Sequence, residues 1–324
     1  MNDPQALILP HPSDQAANLP AIVGDYTPRA VQCLEDWFFG EIANDNTRMA
    51  YERALRRFAA WSSVRRFTYR NMRSLHIREY VKQLEAEAAP ATVKQHLAAI
   101  REMFNALMRA GEIDVNPAYS VKAPRMSVTT GKTPVLDAAN AKHFLATIDT
   151  ETIKGKRDKA LISLMLYTFA RVSAALKMET SDYFQHNDGF HVRLAEKGGK
   201  QRTIPAHSVL VELMADYLNT SGLRGTASPL WQTIDRKNGK LSGRRLQRQE
   251  VYEIIGDRAQ EAGLKSVKYG NHTWRGTGIT LFLENGGAMD MAQDIAGHAD
   301  PRTTRLYDRR GERIKQNDIE LIRL

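Results

Sequence analysis

One run of this sequence cannot lie at a surface. From Ala160 to Ala170 only Ser163 and Thr168 interrupt a series of apolar and aromatic residues. The run is far shorter than the ~20 residues that a membrane-spanning helix needs, so it requires a protein core around most of its sides. Its spacing predicts one long helix over Arg157 to Met178. Arg171 follows the run directly. A guanidinium at the edge of a buried helix is costly unless paired, and Val172-Ser173-Ala174-Ala175 holds no acid. An external anion is the expected partner; the plainer alternative is an arginine that snorkels to solvent.

At 324 residues the chain is longer than one typical core and suggests two domains. Residues 1–28 mix Pro, Asn, Asp and Gln without periodicity and read as a flexible arm. Helical patterns follow: Ala30-Val31-Leu34-Trp37-Phe38, then Tyr51, Leu55 and Phe58 behind a start at Asn46 or Thr47, then Leu75 to Leu84. Pro90 opens a fourth, which Gly111 stops. From Arg48 to Arg73 there are eight arginines and one acid, Glu52. A solvated helix face usually mixes signs; this one does not, so Arg48, Arg53, Arg56 and Arg57 are expected to contact phosphates. Residues 116–134 turn rich in Pro, Ser, Thr and Lys and read as a linker, with Lys122 and Arg125 positioned to follow a nucleic-acid backbone.

Beyond the apolar run, Phe190, Val192 and Leu194 alternate between the turn signals Asp188-Gly189 and Lys197-Gly198-Gly199-Lys200. The spacing predicts a β-ribbon over Tyr183 to Pro205. A hairpin tip can enter a groove, and a lysine there can give a proton to a leaving oxygen, which the high pKa of arginine forbids. A further amphipathic helix spans Leu210 to Leu218. A second basic cluster, including Arg244 and Arg245, precedes a helix through Val251 and Ile255 and is expected to meet phosphates.

The balance of charge names the partner class. With 46 basic against 37 acidic residues, the formal charge is +9 and the pI about 9.6, which favours a polyanion, nucleic acid first. Cys33 is the single cysteine, so neither an intrachain disulfide nor a cysteine-based zinc site can form. The first residues lack a basic region and a long apolar run, so no signal peptide is expected. The expected setting is the cytoplasm.

Between Asn271 and Arg310 two histidines, several arginines and a tyrosine crowd together. Ile279, Phe282 and Leu283 predict a helix stopped by Gly286-Gly287, with His272 and Arg275 on one face near its start. A short helix from Met289 to Ala296 ends at Gly297, and Asp300 can cap a third with Pro301 at its first position, with Tyr307 inside it. Arginine binds a phosphate oxygen as a fork, and neutral imidazole donates a hydrogen bond or moves a proton. A phenol, with a free pKa near ~10, attacks only where cations stabilise the developing charge and a base takes its proton.

The order His272-x-x-Arg275, then Gly297-His298, then Tyr307 resembles the tyrosine recombinase, or phage integrase, family. Gly297 to Tyr307 is similar to that family's nucleophile box, Ala170 to Leu176 to the box of its first catalytic arginine, and 197–200 to its Gly-Lys-Gly-x-Lys turn. The resemblance implies a mainly α fold with a small β-sheet or ribbon: a helical core-binding domain over 29–115 and a mixed α+β catalytic domain over 135–310, which clamp opposite sides of a duplex. It implies that Tyr307 forms a 3′-phosphotyrosyl link with Arg171 and Arg275 on the phosphate oxygens. Lys197 is then the general acid, with Lys200 in reserve as acid and as a DNA contact. His272 moves a proton and His298 donates to the phosphate.

Neither ATP, metal nor another cofactor is implied. The partners are double-stranded DNA and further copies of the chain, a tetramer in the synapse, coupled through an apolar tail at 311–324. Four departures stand out. The family usually has Gly-Leu where this chain has Phe169-Ala170, an acid where it has Ala174, an acid where it has Thr273, and a histidine where it has Gly276. Restoring an acid at position 174 is expected to speed cleavage. Two rivals are a DNA-binding regulator that has lost chemistry and a metal-dependent nuclease, although no His-x-x-His or clustered carboxylates accompany the histidines.

Overall fold

The computed structural model describes residues 27–124, 131, 133–196 and 199–309. The chain divides into two compact units, Met1–Ser127 and Val128–Leu324. Residues 1–26 of the expected arm, Arg125 in the linker, Lys197 at the turn and the tail at 311–324 lie outside the described residues, while Thr27 and Pro28 belong to the start of the first helix.

In the first unit α1 (Pro28–Glu35) starts at Thr27, whose hydroxyl accepts from the Ala30 amide, and runs on into a π-helical turn, Asp36–Glu41, that buries Trp37 and Phe38. Asn44, rather than Asn46 or Thr47, caps α2 (Asp45–Val64), its side chain accepting from both of those amides. The helices α3 (Ser74–Glu87) and α4 (Pro90–Arg109) follow. Leu55, Phe58, Ile77, Leu97 and Phe104 fill the core at helical spacing.

The arginine-rich run is not single-signed once folded. Arg57 pairs with Glu87, Arg65 with Glu79 at 3.2 Å and Arg70 with Glu112 at 3.3 Å. Arg48 and Arg56 pair with Asp45 at 3.1 Å and Glu52 at 2.7 Å. Three of these acids come from more distant sequence, so a window from 48 to 73 could not show them. Arg53 is exposed without an acidic partner among the described residues.

The second unit opens with α5 (Ala138–Thr147), capped by Asp137. The long helix expected over Arg157 to Met178 is two: α6 (Ile153–Tyr167) and α7 (Val172–Lys177). The break comes at Phe169, whose φ of 51° is left-handed and cannot continue an α-helix. The expected ribbon is a three-stranded antiparallel sheet of β1 (Tyr183–His186), β2 (Gly189–Ala195) and β3 (Gln201–Pro205). Val192 opposes Ile204, and Leu194 opposes Arg202; Val192 and Leu194 are buried, as their alternation requires.

After α8 (Ser208–Ser221) the second basic cluster turns out to contain a small sheet, β4 (Gln232–Ile234) with β5 (Leu241–Arg245). The remaining elements are α9 (Arg248–Glu261), α10 (Thr273–Glu284), α11 (Met289–Ala296) and α12 (Pro301–Arg305). The fold is thus mostly helical with small antiparallel sheets. Helix α6 is the core element: it packs on α8 and α10, and every residue from Ala160 to Leu166 is buried.

One buried charge cluster sits on α6. Asp158 is fully buried and accepts from Arg157 at 2.6 Å and Arg258 at 2.9 Å, and Arg157 also donates to the Gln232 carbonyl at 2.8 Å. Removing the carboxylate would strand the Arg157 guanidinium out of water and leave Arg258 to its pair with Glu261 at 2.8 Å. Asp158→Ala should therefore cost about 3–5 kcal/mol in urea unfolding of the full chain. A loss below about 1 kcal/mol, the range of an exposed pair, would show that water reaches the cluster.

Candidate active site

The site begins at α10. His272 occupies its N-cap position and Arg275 the first turn, where the side chain is 2% exposed. Such a guanidinium needs partners for most of its donors. Arg275 gives one terminal nitrogen to the Phe169 carbonyl and the other to the Ala296 carbonyl at 2.6 Å and to Nε2 of His298 at 2.6 Å. The left-handed turn at Phe169 is what aims that carbonyl inward. Phe169 tolerates the turn because its ring is buried against Ile279, Leu283 and Phe282, so packing takes over the role of glycine at this position. Burial, and then Arg171, lower the Arg275 pKa to about 10, which leaves the group charged at neutral pH.

Because Arg275 can only donate, Nε2 of His298 must accept, and the ring proton sits on Nδ1, 2.9 Å from the Thr304 hydroxyl. His298 was expected to donate to a phosphate; in this structure its Nε2 is instead an acceptor for Arg275. Burial first, then Arg275, Arg171 and Arg202, push the His298 pKa down to about 4. Burial of the ring and then the charges of Arg248, Arg275 and Arg171 also lower that of His272. Both imidazoles are neutral at pH 7.

Arg171 stands at the N-cap position of α7, about one third exposed, and donates to Oε2 of Glu196 at 2.6 Å. The expectation of an external anion as its partner is corrected here: a carboxylate comes from the far end of β2, which sequence distance concealed. Oε1 of Glu196 accepts from Arg202 at 2.9 Å. The Arg202 guanidinium lies across Gly297, where a Cβ would stand 3.3 Å from its Nε and where φ is +59°. Neither Glu196 nor Arg202 was singled out from the sequence. The only available signal was their position at the two ends of a predicted hairpin turn.

Tyr307 does not lie within a helix as expected; α12 ends at Arg305, and Tyr307 follows it. Its ring is half-buried and stacks on His298, with centroids 6.2 Å apart and planes 9° apart. Its carbonyl accepts from the Thr280 hydroxyl at 2.9 Å. A Cβ on Gly276 would come within 3.0 Å of the Tyr307 ring, so a residue without a side chain makes room for it. The Gly131 amide donates to the Leu306 carbonyl at 2.9 Å, and Arg309 donates to the Thr133 carbonyl at 3.1 Å, which ties both sides of Tyr307 to the end of the linker.

The structure thus brings Arg171, His272, Arg275, His298 and Tyr307 into one neighbourhood. Lys200 is exposed beside the turn, and Lys122 is exposed in the first unit. Arg244 pairs with Glu250 at 2.7 Å on the surface. Arg245 is turned inward to Glu179 and the carbonyls of Leu176 and Met178, a structural use. Among the described residues no group of three or more His, Cys, Asp or Glu side chains is placed to hold a metal ion. No helix among them is long and apolar enough to cross a membrane.

Residues 134–312 match the model of the phage integrase family, and residues 42–111 match that of the phage integrase N-terminal SAM-like domain. The first match alone spans more than half of the chain, which therefore belongs to the phage integrase family. Tyrosine recombinase XerC of Pelobacter propionicus is 30% identical over 267 residues, spanning 81% of this chain and 84% of the relative. Tyrosine recombinase XerD of Listeria innocua is 27% identical over 270 residues, spanning 81% and 87%. Among solved structures the fold is similar to the site-specific recombinase XerH in a post-cleavage complex with its difH substrate. That likeness has a TM-score of 0.69 at 17% identity over 89% of this chain and 94% of the other. A lambda integrase tetramer bound to a Holliday junction gives 0.67 at 14% identity, over 88% and 79%.

The depressed His298 pKa has a stability consequence with a definite sign. As pH falls from the free-histidine value of ~6.5 towards about 4, the unfolded chain takes up a proton that the folded ring refuses, so stability falls across that window. Between pH 7 and pH 5 the loss from this ring is about 2 kcal/mol. In urea unfolding, His298→Gln should lose that much less than the parent over the same interval. Equal acid losses would show that the folded ring protonates freely.

Proposed function

We propose that this chain is a site-specific DNA recombinase in which Tyr307 is the nucleophile. The phenolic oxygen attacks a scissile phosphate, a P–O bond to Tyr307 forms, and the bond to the 5′ oxygen breaks, giving a 3′-phosphotyrosyl link and a free 5′ hydroxyl. A 5′ hydroxyl from the exchange partner then reverses the step. The observation that carries this reading is the stack of Tyr307 on His298, whose Nε2 is held by the buried Arg275.

Hydrogen bonds to Phe169, Ala296 and His298 use three of the five N–H donors of Arg275, which leaves two for a non-bridging oxygen. Arg171, with its outer edge open, takes the other. His272, neutral at pH 7, accepts the phenol proton. His298 positions Arg275 and stacks on the nucleophile. Lys197 protonates the leaving oxygen, with Lys200 in reserve. No step draws on ATP or a metal, because the arginines supply the electrostatic clamp.

Along the duplex, Arg53, Lys122 and Lys200 are exposed and meet phosphates, and Arg244 does so by giving up its surface pair with Glu250. The surface pairs of Arg56 and Arg57 are weak enough for a phosphate to replace the acid. Arg48 and Arg245 are already bound to backbone carbonyls, so they serve the fold before the DNA. An enzyme of chromosomal or mobile DNA works in the cytoplasm, and it works as an oligomer.

The second unit carries a large apolar groove of about 1350 Å³ lined by Ala141, Leu145, Val209, Leu213, Leu281 and Met291, among others. It suits the apolar side chains Ile314, Ile319, Ile322 and Leu324 of a neighbouring copy. Each buried aliphatic is worth about 1.5–3 kcal/mol before ordering costs.

Four experiments test these readings. Tyr307→Phe removes one oxygen and should abolish the covalent DNA adduct while leaving DNA binding within about twofold, an effect under 0.5 kcal/mol. The parent should form the adduct in excess chelator; strict magnesium dependence would favour the nuclease. Deleting residues 311–324 should spare folding and single-site binding but abolish assembly of paired sites in gel-shift assays, and Val209→Glu with Met291→Glu should reproduce that loss. Full-rate recombination by the truncated chain would show that the tail has no docking role.

A further inference from the structure

The family resemblance leaves one gap in this site, at Ala174, where an acid is usual; the side chain there is a buried methyl group. The fold supplies a carboxylate by another route. We infer that Glu196, at the end of β2, is the positioning residue for Arg171, replacing from the hairpin the acid that α7 lacks. The inference rests on the recombinase reading above and adds a residue to it.

Three observations carry it. Glu196 is itself largely buried, with its side chain 9% exposed, and both of its oxygens are engaged, one by Arg171 at 2.6 Å and the other by Arg202 at 2.9 Å. Its own amide donates to the Lys200 carbonyl at 2.7 Å, so the carboxylate is fixed at the base of the turn that carries Lys197 and Lys200. Burial alone would push its pKa up, yet the hydrogen bonds from Arg202 and Arg171 outweigh that and hold it below the usual carboxylate range. The bridge thus connects the arginine that binds phosphate to the turn that holds the leaving-group lysine.

The bridge also sets the charge. Arg171, Arg202 and Arg275 carry three positive charges, and Glu196 offsets one of them. Among the described residues the Nε and Nη1 of Arg202 are buried without partners and Glu196 is what orients its guanidinium, beside Gly297 and the loop of His298. Converting the carboxylate to an amide raises the formal positive charge. If charge alone governed the rate, that change would leave cleavage equal or faster. Positioning requires it to be slower.

The test is single-turnover adduct formation by the full chain on a nicked duplex site, with DNA affinity measured in parallel. Glu196→Gln should bind DNA within about twofold of the parent and form the adduct roughly tenfold or more slowly, the scale of one charge-assisted hydrogen bond. Glu196→Asp, which keeps the carboxylate, should recover most of the rate. In an Arg171→Lys background, read over long incubations because the adduct accumulates, Glu196→Gln should cost less than about twofold, since partners in one unit are not additive. With Glu196 in place, Ala174→Glu should bring no gain, against the expectation from sequence.

An unchanged or faster rate in Glu196→Gln, or the same fold-loss with and without Arg171, overturns the assignment. Failure of the underlying reading looks different: the parent forms no adduct, or Tyr307→Phe still does.

Discussion

The catalytic unit is built around one buried guanidinium. Taking Arg275 out of water costs several kcal/mol, and the cost is offset only because three separate elements turn polar atoms towards it. The α6–α7 break contributes the Phe169 carbonyl, the end of α11 the Ala296 carbonyl, and the loop beyond it the His298 imidazole. Each contribution needs its own local geometry. Phe169 must take a left-handed conformation that costs a side-chain-bearing residue about 1–2 kcal/mol, and Gly297 must close α11 at positive φ so that His298 turns back. The arginine therefore locks into register the break that leads to Arg171 and the end of α11 with the loop that carries His298.

Gathering cations in a pocket brings a second problem, repulsion between like charges, and the same structure answers it in two ways. The imidazoles among the arginines stay neutral, because a proton on His272 or His298 would meet Arg171, Arg275 and either Arg202 or Arg248 at close range. A single carboxylate, Glu196, bridges two of the guanidiniums. A site kept in this state attracts an anion yet retains a base able to accept a proton, which is what a phenol nucleophile requires.

Local signals were readable wherever a side chain's role depends on its sequence neighbours. Met289–Ala296, the Asp300 cap with Pro301 and the start of α4 at Pro90 fall where periodicity and capping chemistry place them. The alternation of Val192 and Leu194 marked the central strand. The failures share one cause, which is long-range structure. Nothing between Arg157 and Met178 announces a break, because the left-handed turn is held by Ile279 and Leu283 more than a hundred residues away. The arginine run from 48 to 73 read as unbalanced because Glu79, Glu87 and Glu112 lie beyond it. Tyr307 was placed inside a helix that stops two residues earlier, a boundary shared by the Thr280 and Gly131 contacts rather than by helix propensity.

By itself the sequence determined the helical class and the order in which Arg171, His272, Arg275, His298 and Tyr307 follow one another, because these depend on residue type and short spacing, which the chain displays directly. Tertiary structure alone decided which nitrogen of His298 carries the proton, which way Arg275 points, and that the carboxylate missing at position 174 arrives from position 196. Hydrogen bonds and Coulomb interactions act over a few ångströms in space, and Arg171 and Glu196 become neighbours only when β2 folds back beside the start of α7.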